Sequence, residues 1–252
     1  MTWRIFAASA IGSSPREDGR PCQDAFAHCS QGEVLCAVIC DGAGSSESSH
    51  IGARFVANAV TQALVAHAAA GGLGLGTDGD ALRTLIEGVV AGVRKGLQAT
   101  AASSSRELSD FASTLVGVVG WPSRGHFFHV GDGFAVARTR GAEARDIVSL
   151  PDNGEYVNET YFVTGDEWRA HLRTESFTEP IATVALMSDG AAPFAMAKGQ
   201  QALHDPFIVP VLRYLDQVTE AEGSEALGGT LADQRTDAIS TDDKTLLIAR
   251  WV

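Results

Sequence analysis

Asp41-Gly42 and Asp189-Gly190 each end an apolar run, Asp242-Asp243 precede a third, and Asp132 sits inside the turn Gly131-Asp132-Gly133. One Asp-Gly pair is ordinary turn chemistry, since both residue types accept tight backbone geometry. The recurrence says more, because the first two pairs lie about 150 residues apart in the chain. If the strands behind them are neighbours, the carboxylates converge, repel, and raise one another's pKa unless a cation lies among them. Mg2+ and Mn2+ prefer carboxylate, carbonyl and water oxygens. A glycine after Asp41 lets its backbone carbonyl approach such an ion closely. Two ions roughly 3.5–4 Å apart can activate a water and stabilise the oxygens of phosphoryl transfer. The pattern therefore points to metal-assisted hydrolysis.

The elements that must position these carboxylates follow from periodicity. Trp3 to Ile11 reads as a first strand, residues 12 to 23 as a polar loop, and Val34 to Cys40 as a buried strand running into Asp41. From Ile51 the apolar set Ile51, Phe55, Ala59, Ala63 and Leu64 recurs at helical spacing, with Ser48 or Ser49 as its cap. A second amphipathic helix runs from Ala81 to about Gln98. The period then changes: Leu115–Val119, His126–Val130 and Phe134–Arg138 read as strands. The tight Gly131-Asp132-Gly133 connection suggests an antiparallel meander. Thr183–Ser188 is another strand, 191 to 218 a helical region interrupted by Pro193, Pro206 and Pro210, and Thr245–Val252 a last strand reached through a Gly/Ala-rich loop. Strands, two helices, more strands and late helices fit two sheets with helices outside, within one domain spanning 1–252.

Composition bounds the rest. A chain of 252 residues, 45% hydrophobic, can bury a large core. Its net charge of −12 and pI near 4.9 exclude a general affinity for nucleic acid. No run approaches the roughly 20 apolar residues that span a bilayer. Cys22, Cys29, Cys36 and Cys40 form no metal-binding spacing, and Cys36 and Cys40 read as small buried hydrophobes. The expected location is a reducing cytoplasm.

Six motifs in chain order make the chain resemble the metal-dependent (PPM-type, or type 2C) protein serine/threonine phosphatases, in their compact bacterial branch. They are Gly19-Arg20-Pro21-Cys22-Gln23-Asp24, Val38-Ile39-Cys40-Asp41-Gly42-Ala43-Gly44, Ala112-Ser113-Thr114-Leu115, Val130-Gly131-Asp132-Gly133, Leu186-Met187-Ser188-Asp189-Gly190 and Asp242-Asp243-Lys244-Thr245. The resemblance implies an α+β fold, a four-layer α/β/β/α sandwich in which two central antiparallel sheets are flanked by helices. It also implies a binuclear Mn2+ or Mg2+ centre with a weaker third ion. By the family's pattern Asp41 bridges both metals, the Gly42 carbonyl binds the second, and Asp189 and Asp242 complete the first. Asp24 lies at the second directly or through water, and Asp132 helps hold the third. The implied reaction is in-line attack of a metal-activated water on a phosphoserine or phosphothreonine ester, without a phosphoenzyme; the alternatives are a small-molecule phosphomonoesterase and a catalytically weak phosphatase-like binding or scaffold domain. The implied partner is a phosphoprotein, a kinase or its target.

The chain departs from that pattern in places. Gln23 stands where many relatives carry Glu, so a neutral oxygen faces the second metal. Arg20 is the choice for holding phosphate, because its planar fork matches phosphate oxygens, with Arg16 as the alternative. Ala43-Gly44 stands where some eukaryotic members place a histidine general acid, and His50 lies too far along to take that role. At the last motif either Asp242 or Asp243 is the ligand, and register favours Asp242. Residues 151 to 170 read as substrate-facing; the competing reading is that Tyr156, Tyr161, Phe162 and Trp168 tie a loop to the body.

Overall fold

The computed structural model describes residues 1–74, 76–151 and 160–252. Among them the strands are β1 (Trp3–Ala10), β2 (Ala25–Gln31), β3 (Val34–Cys40), β4 (Leu115–Trp121), β5 (Arg124–Val130), β6 (Phe134–Thr139), β7 (Asp146–Ser149), β8 (Arg173–Phe177), β9 (Ile181–Met187) and β10 (Lys244–Trp251). The helices are α1 (Ser13–Glu17), α2 (Ser49–Ala69), α3 (Gly79–Ser103), α4 (Ala192–Ala195), α5 (Asp205–Leu215), α6 (Glu220–Leu231) and α7 (Gln234–Asp237). Two five-stranded sheets result, ordered β1-β10-β9-β6-β7 and β2-β3-β4-β5-β8. Every pairing within them is antiparallel. Helices α2 and α3 cover the second sheet, and α5 and α6 the first, which is the four-layer sandwich expected.

Strand β3 explains why both faces of a sheet can be apolar. Leu35, Ala37 and Ile39 point into the layer between the sheets, where they meet Val116, Phe127, Leu186 and Leu247. Cys36, Val38 and Cys40 point the other way, into the layer under α2 and α3 with Val56, Val60, Ile86 and Val90. Alternate residues therefore serve two cores, and the run Val34–Cys40 reads as continuously hydrophobic. Each fully buried Leu or Val here contributes roughly 1.5–3 kcal/mol relative to exposure. Desolvation pushes the Cys36 thiol up to about 12, so it behaves as the small inert hydrophobe expected.

Four expectations change. The Gly131-Asp132-Gly133 turn does not continue a meander: β5 belongs to one sheet and β6 to the other, so Asp132 sits where the chain crosses between layers. The Gly/Ala-rich stretch after residue 218 is the helix α6, started by a capping box in which Thr219 Oγ1 accepts from Glu222 N and Glu222 Oε2 accepts from Thr219 N. Its Gly223 is a packing residue, since a Cβ there would fall 2.4 Å from the Phe6 ring. Ser48 does precede α2, but its side chain makes no capping bond and its hydroxyl is buried without a partner. In the stretch expected to face substrate, Val163 and Trp168 instead pack in the core under α2 and α3, and Tyr161 stacks on His171. Tyr156 lies outside the described residues. Strand β2, which lacked a clear alternation, was not anticipated, nor were β7, β8 and the short helix α1 inside the polar loop.

Candidate active site

The carboxylates collect because strand registers end together. The β2–β3 ladder runs to Ala25–Cys40, so Asp24 and Asp41 stand opposite each other one step beyond it. In the other sheet the β6–β9 ladder ends at Phe134–Met187, and Asp132 and Asp189 lie two steps past it. Strand β10 pairs with β9 and starts at Lys244, directly after Asp242-Asp243. Gly190 permits the last approach: a Cβ at that position would lie 2.0 Å from the Asp243 carbonyl oxygen. Both sheets thus deliver carboxylates to one edge of the sandwich.

Local hydrogen bonds hold the backbone at this edge. Asp41 N donates to Thr114 Oγ1 at 2.9 Å and Thr114 N donates to Asp41 O at 2.8 Å, clamping Asp41 from β4. Gly42 N donates to Gln23 O at 3.2 Å, which fixes the peptide after Asp41. Ser188 Oγ donates to Asp24 Oδ2 at 2.8 Å while accepting from Thr245 N at 2.9 Å, linking the two sheets through one hydroxyl. Thr160 Oγ1 donates to Asp132 Oδ2 at 2.7 Å. Thr114 and Ser188 lay inside the quoted motifs without a role assigned to them. A hydroxyl one step from an acidic strand end was the signal that could have found them.

The electrostatics are those of crowded anions. Asp41 is pushed well above the usual carboxylate range by burial, then by the charges of Asp24 and Asp189. Burial also lifts Asp24 to about 7, against hydrogen bonds from Thr245 and Ser188. Asp189 rises to about 6, through burial and then the charge of Asp132. Asp24, Asp132 and Asp189 thus all act on Asp41 through their charges, which places the four carboxyl groups within electrostatic reach of one another. Among the described residues no set of three or more His, Cys, Asp or Glu side chains is spaced as a ready-made metal cage. Yet Asp24 Oδ1, Asp132 Oδ1 and Asp189 Oδ1 are all buried with no hydrogen-bond partner. Buried acceptors without donors are costly. Their number, charge and oxygen chemistry fit hard divalent cations.

The two residues of the last motif separate clearly. Asp243 is buried, its Oδ1 accepting from Gly12 N at 2.8 Å and its Oδ2 from Gln23 N at 2.6 Å. Both oxygens are spent on joining the start of the chain to β10. Asp242 is exposed, lies beside Gly190, and raises the pKa of Asp189 by its charge. Lys244, the cation next in sequence, pairs with none of the cluster's carboxylates: its fully buried ammonium donates to Asp237 Oδ1 at 2.7 Å and to the Asp242 backbone carbonyl at 3.3 Å.

Arg20 reaches across to the Gly44 carbonyl, on the loop that follows Asp41-Gly42, and pairs with Asp18. Arg16 is held elsewhere, by Asp237 at 3.3 Å and the Ile11 carbonyl at 2.8 Å. Gln23 departs from expectation. Its amide nitrogen donates to Ala43 O at 3.3 Å, to Ser46 O at 3.4 Å and to Ser49 Oγ, so it organises the 43–49 loop. His50 faces Arg54 and Arg106, whose charges, after burial, lower its pKa. His126 and His129 pair with Ser176 and Ser149, away from the carboxylates.

This arrangement, two antiparallel sheets between helix layers with aspartates gathered at one edge, defines a class of metal-dependent phosphatases, and comparison with known proteins agrees. The family model described as "Protein phosphatase 2C" matches residues 11–232. Serine/threonine-protein phosphatase 3 of Escherichia coli (strain K12) is 30% identical over 263 residues, covering 100% of this chain and 99% of that protein. The fold matches the crystal structure of serine/threonine phosphatase Stp1 from Staphylococcus aureus with TM-score 0.62, at 15% identity over 100% of this chain and 96% of that one. PppA from Pseudomonas aeruginosa superposes with TM-score 0.60 at 16% identity, covering 99% and 98%. The chain belongs to the PPM-type (protein phosphatase 2C) family. It is an enzyme of that phosphatase class, whose mechanism is metal-dependent, and among the described residues no helix is long and apolar enough to cross a membrane.

Proposed function

We propose that residues 1–252 form one catalytic domain that removes phosphate from phosphoserine and phosphothreonine in proteins at a binuclear Mn2+ or Mg2+ centre. The observation that carries this reading is the set of buried, partnerless oxygens on Asp24, Asp132 and Asp189, gathered around Asp41. Asp41, the Gly42 carbonyl, Asp24, Asp189 and Asp242 would hold the two principal ions, and Asp132 a weaker third. Divalent cations at such a cluster supply an acidified water and charge stabilisation for phosphate oxygens. The serine/threonine-phosphatase name of the Escherichia coli relative supports a phosphoprotein substrate.

The chain's own residues then have distinct tasks. The Thr114 clamp fixes the backbone that carries the Asp41 carboxylate, and Ser188 orients Asp24 while leaving its second oxygen free. Arg20 holds phosphate through its remaining guanidinium donors, two being engaged by Gly44 and Asp18. Asp242 supplies the ligand at the last motif, since both Asp243 oxygens already accept backbone N–H bonds. Metal-stripped protein regains hydrolysis of a phosphothreonine peptide when Mn2+ or Mg2+ is returned, and Asp41→Asn and Asp189→Asn do not. Turnover that survives both substitutions, or that ignores metal, sinks the reading.

A further inference from the structure

Beside the carboxylate edge lies a cleft of about 420 Å³. Its floor carries Asp132 and Asp189, and its far wall is the loop Met196–Gln200 after α4. That loop is fixed. Met196 is buried and bridges to Leu203, Ala197 N donates to Ala202 O at 2.9 Å, and Gln200 N donates to Ala197 O at 2.9 Å. Gly199 (φ 88°) and Gln200 (φ 58°) both take left-handed backbone at its tip, which reverses the chain there.

Lys198 stands on this turn. It is exposed, it is the one cation lining the cleft among the described residues, and it forms no ion pair or hydrogen bond with any of them. The sequence holds only three lysines; Lys244 is buried against Asp237, and Lys95 lies on α3. An ammonium left unpaired at the mouth of a cleft, in a chain of net charge −12, is a point where an anionic group of a ligand finds a cation. Arg20 and Gly44 do not line this cleft, so the phosphate-facing arginine and Lys198 serve different places.

We propose that Lys198 is a specificity residue, pairing with a carboxylate or second phosphate on a substrate peptide next to the residue whose phosphate is removed. This rests on the phosphatase reading above and deepens it by naming the substrate's chemistry as acidic phosphopeptides. With the scissile phosphate over the carboxylate cluster, a chain leaving through the cleft passes the Lys198 turn. Rim charges of this kind select partners and register more than they add affinity.

The experiment compares two phosphothreonine peptides that differ only in whether Glu or Gln flanks the phosphothreonine. Both kcat/KM with Mn2+ and equilibrium binding by fluorescence anisotropy are read, for wild type, Lys198→Arg, Lys198→Ala and Lys198→Glu. Wild type is expected to favour the Glu peptide, Lys198→Arg to keep the preference, Lys198→Ala to lose about fivefold of it and Lys198→Glu about tenfold. A wild-type preference for Gln, or a Glu/Gln ratio that Lys198→Glu leaves unmoved, overturns the inference. Hydrolysis of p-nitrophenyl phosphate by wild type distinguishes the two failures. Its absence brings down the phosphatase reading, and the anisotropy ratio then still decides the role of Lys198.

Discussion

Two groups of aspartates occupy this molecule, and they are treated in opposite ways. Asp146 accepts a two-pronged contact from Arg138, at 2.7 and 2.9 Å, and a backbone bond from Leu203 N at 2.8 Å. Asp237 takes Lys244 at 2.7 Å and Arg16 at 3.3 Å; burial acts to raise its pKa, but Lys244 and Arg16 more than reverse this. Asp24, Asp41 and Asp189 pair with no cation among the described residues, act on one another through their charges, and all have raised pKa values. A structural carboxylate is thus neutralised by side chains of the fold, whereas the edge carboxylates are left with unsatisfied oxygens. Such strain persists where a ligand completes the site, at a cost to the free protein.

The largest effect tests which group Asp41 belongs to. Asp41→Asn is expected to lower turnover by about 10²–10³-fold, the range for losing one transition-state electrostatic element. The melting temperature of the metal-free protein should hold or rise, because one crowded charge is gone. A variant that is both inactive and less stable would move Asp41 into the structural group. The opposite behaviour is expected of Asp237→Ala, which leaves the buried Lys244 ammonium without a counter-charge, only the Asp242 carbonyl accepting from it, and should cost about 3–5 kcal/mol in urea denaturation. Adding Lys244→Met should recover most of that loss; failure to recover would mean the pair is not the source.

Acidity sharpens the same contrast. Asp24 at about 7 and Asp189 at about 6 lie above the unfolded carboxylate value of about 3.9. The folded state therefore holds more protons between about pH 4 and 7, and stability falls as pH rises through that window. Metal-free protein should melt higher at pH 5 than at pH 7.5, and Mn2+ should raise the melting temperature more at pH 7.5. A melting temperature that climbs with pH in this range would mean these carboxylates are already compensated.

Smaller effects concern the supports. Gln23→Glu sets a carboxylate against the carbonyls of Ala43 and Ser46 and should cost about 1–2 kcal/mol, read by chemical denaturation. An unchanged midpoint would show that the amide does not hold the loop. Arg16→Ala should cost under about 1 kcal/mol, its contact being half-exposed, and leave KM for phosphopeptide alone. A raised KM would exchange its role with that of Arg20.

Much of the fold was legible because burial writes a period into the chain. Strand β3 was read to the residue from Val34–Cys40, and α2 and α3 from their recurring apolar positions. Helix α6 was missed because its glycines look like a loop until Phe6 is placed beside Gly223. The crossing at Gly131-Asp132-Gly133 was misread because a short turn says nothing about which sheet its second strand joins. At the site, the acidic strand ends and their order were visible in one dimension. The division of labour between Asp242 and Asp243 was not, since it depends on where Gly12 N and Gln23 N arrive.

The amino-acid sequence by itself determined the inventory: ten residues or fewer of apolar run per strand, amphipathic helices, and aspartates placed just past strand ends. These are local consequences of side-chain period and turn chemistry. Only the tertiary structure decided that two sheets end at a common edge, that Lys244 serves Asp237 rather than the cluster, and that Gln23 spends its amide on the 43–49 loop. Such choices are made by long-range pairing, where a hydrogen-bond donor has several acceptors in reach of its sequence and packing leaves it one.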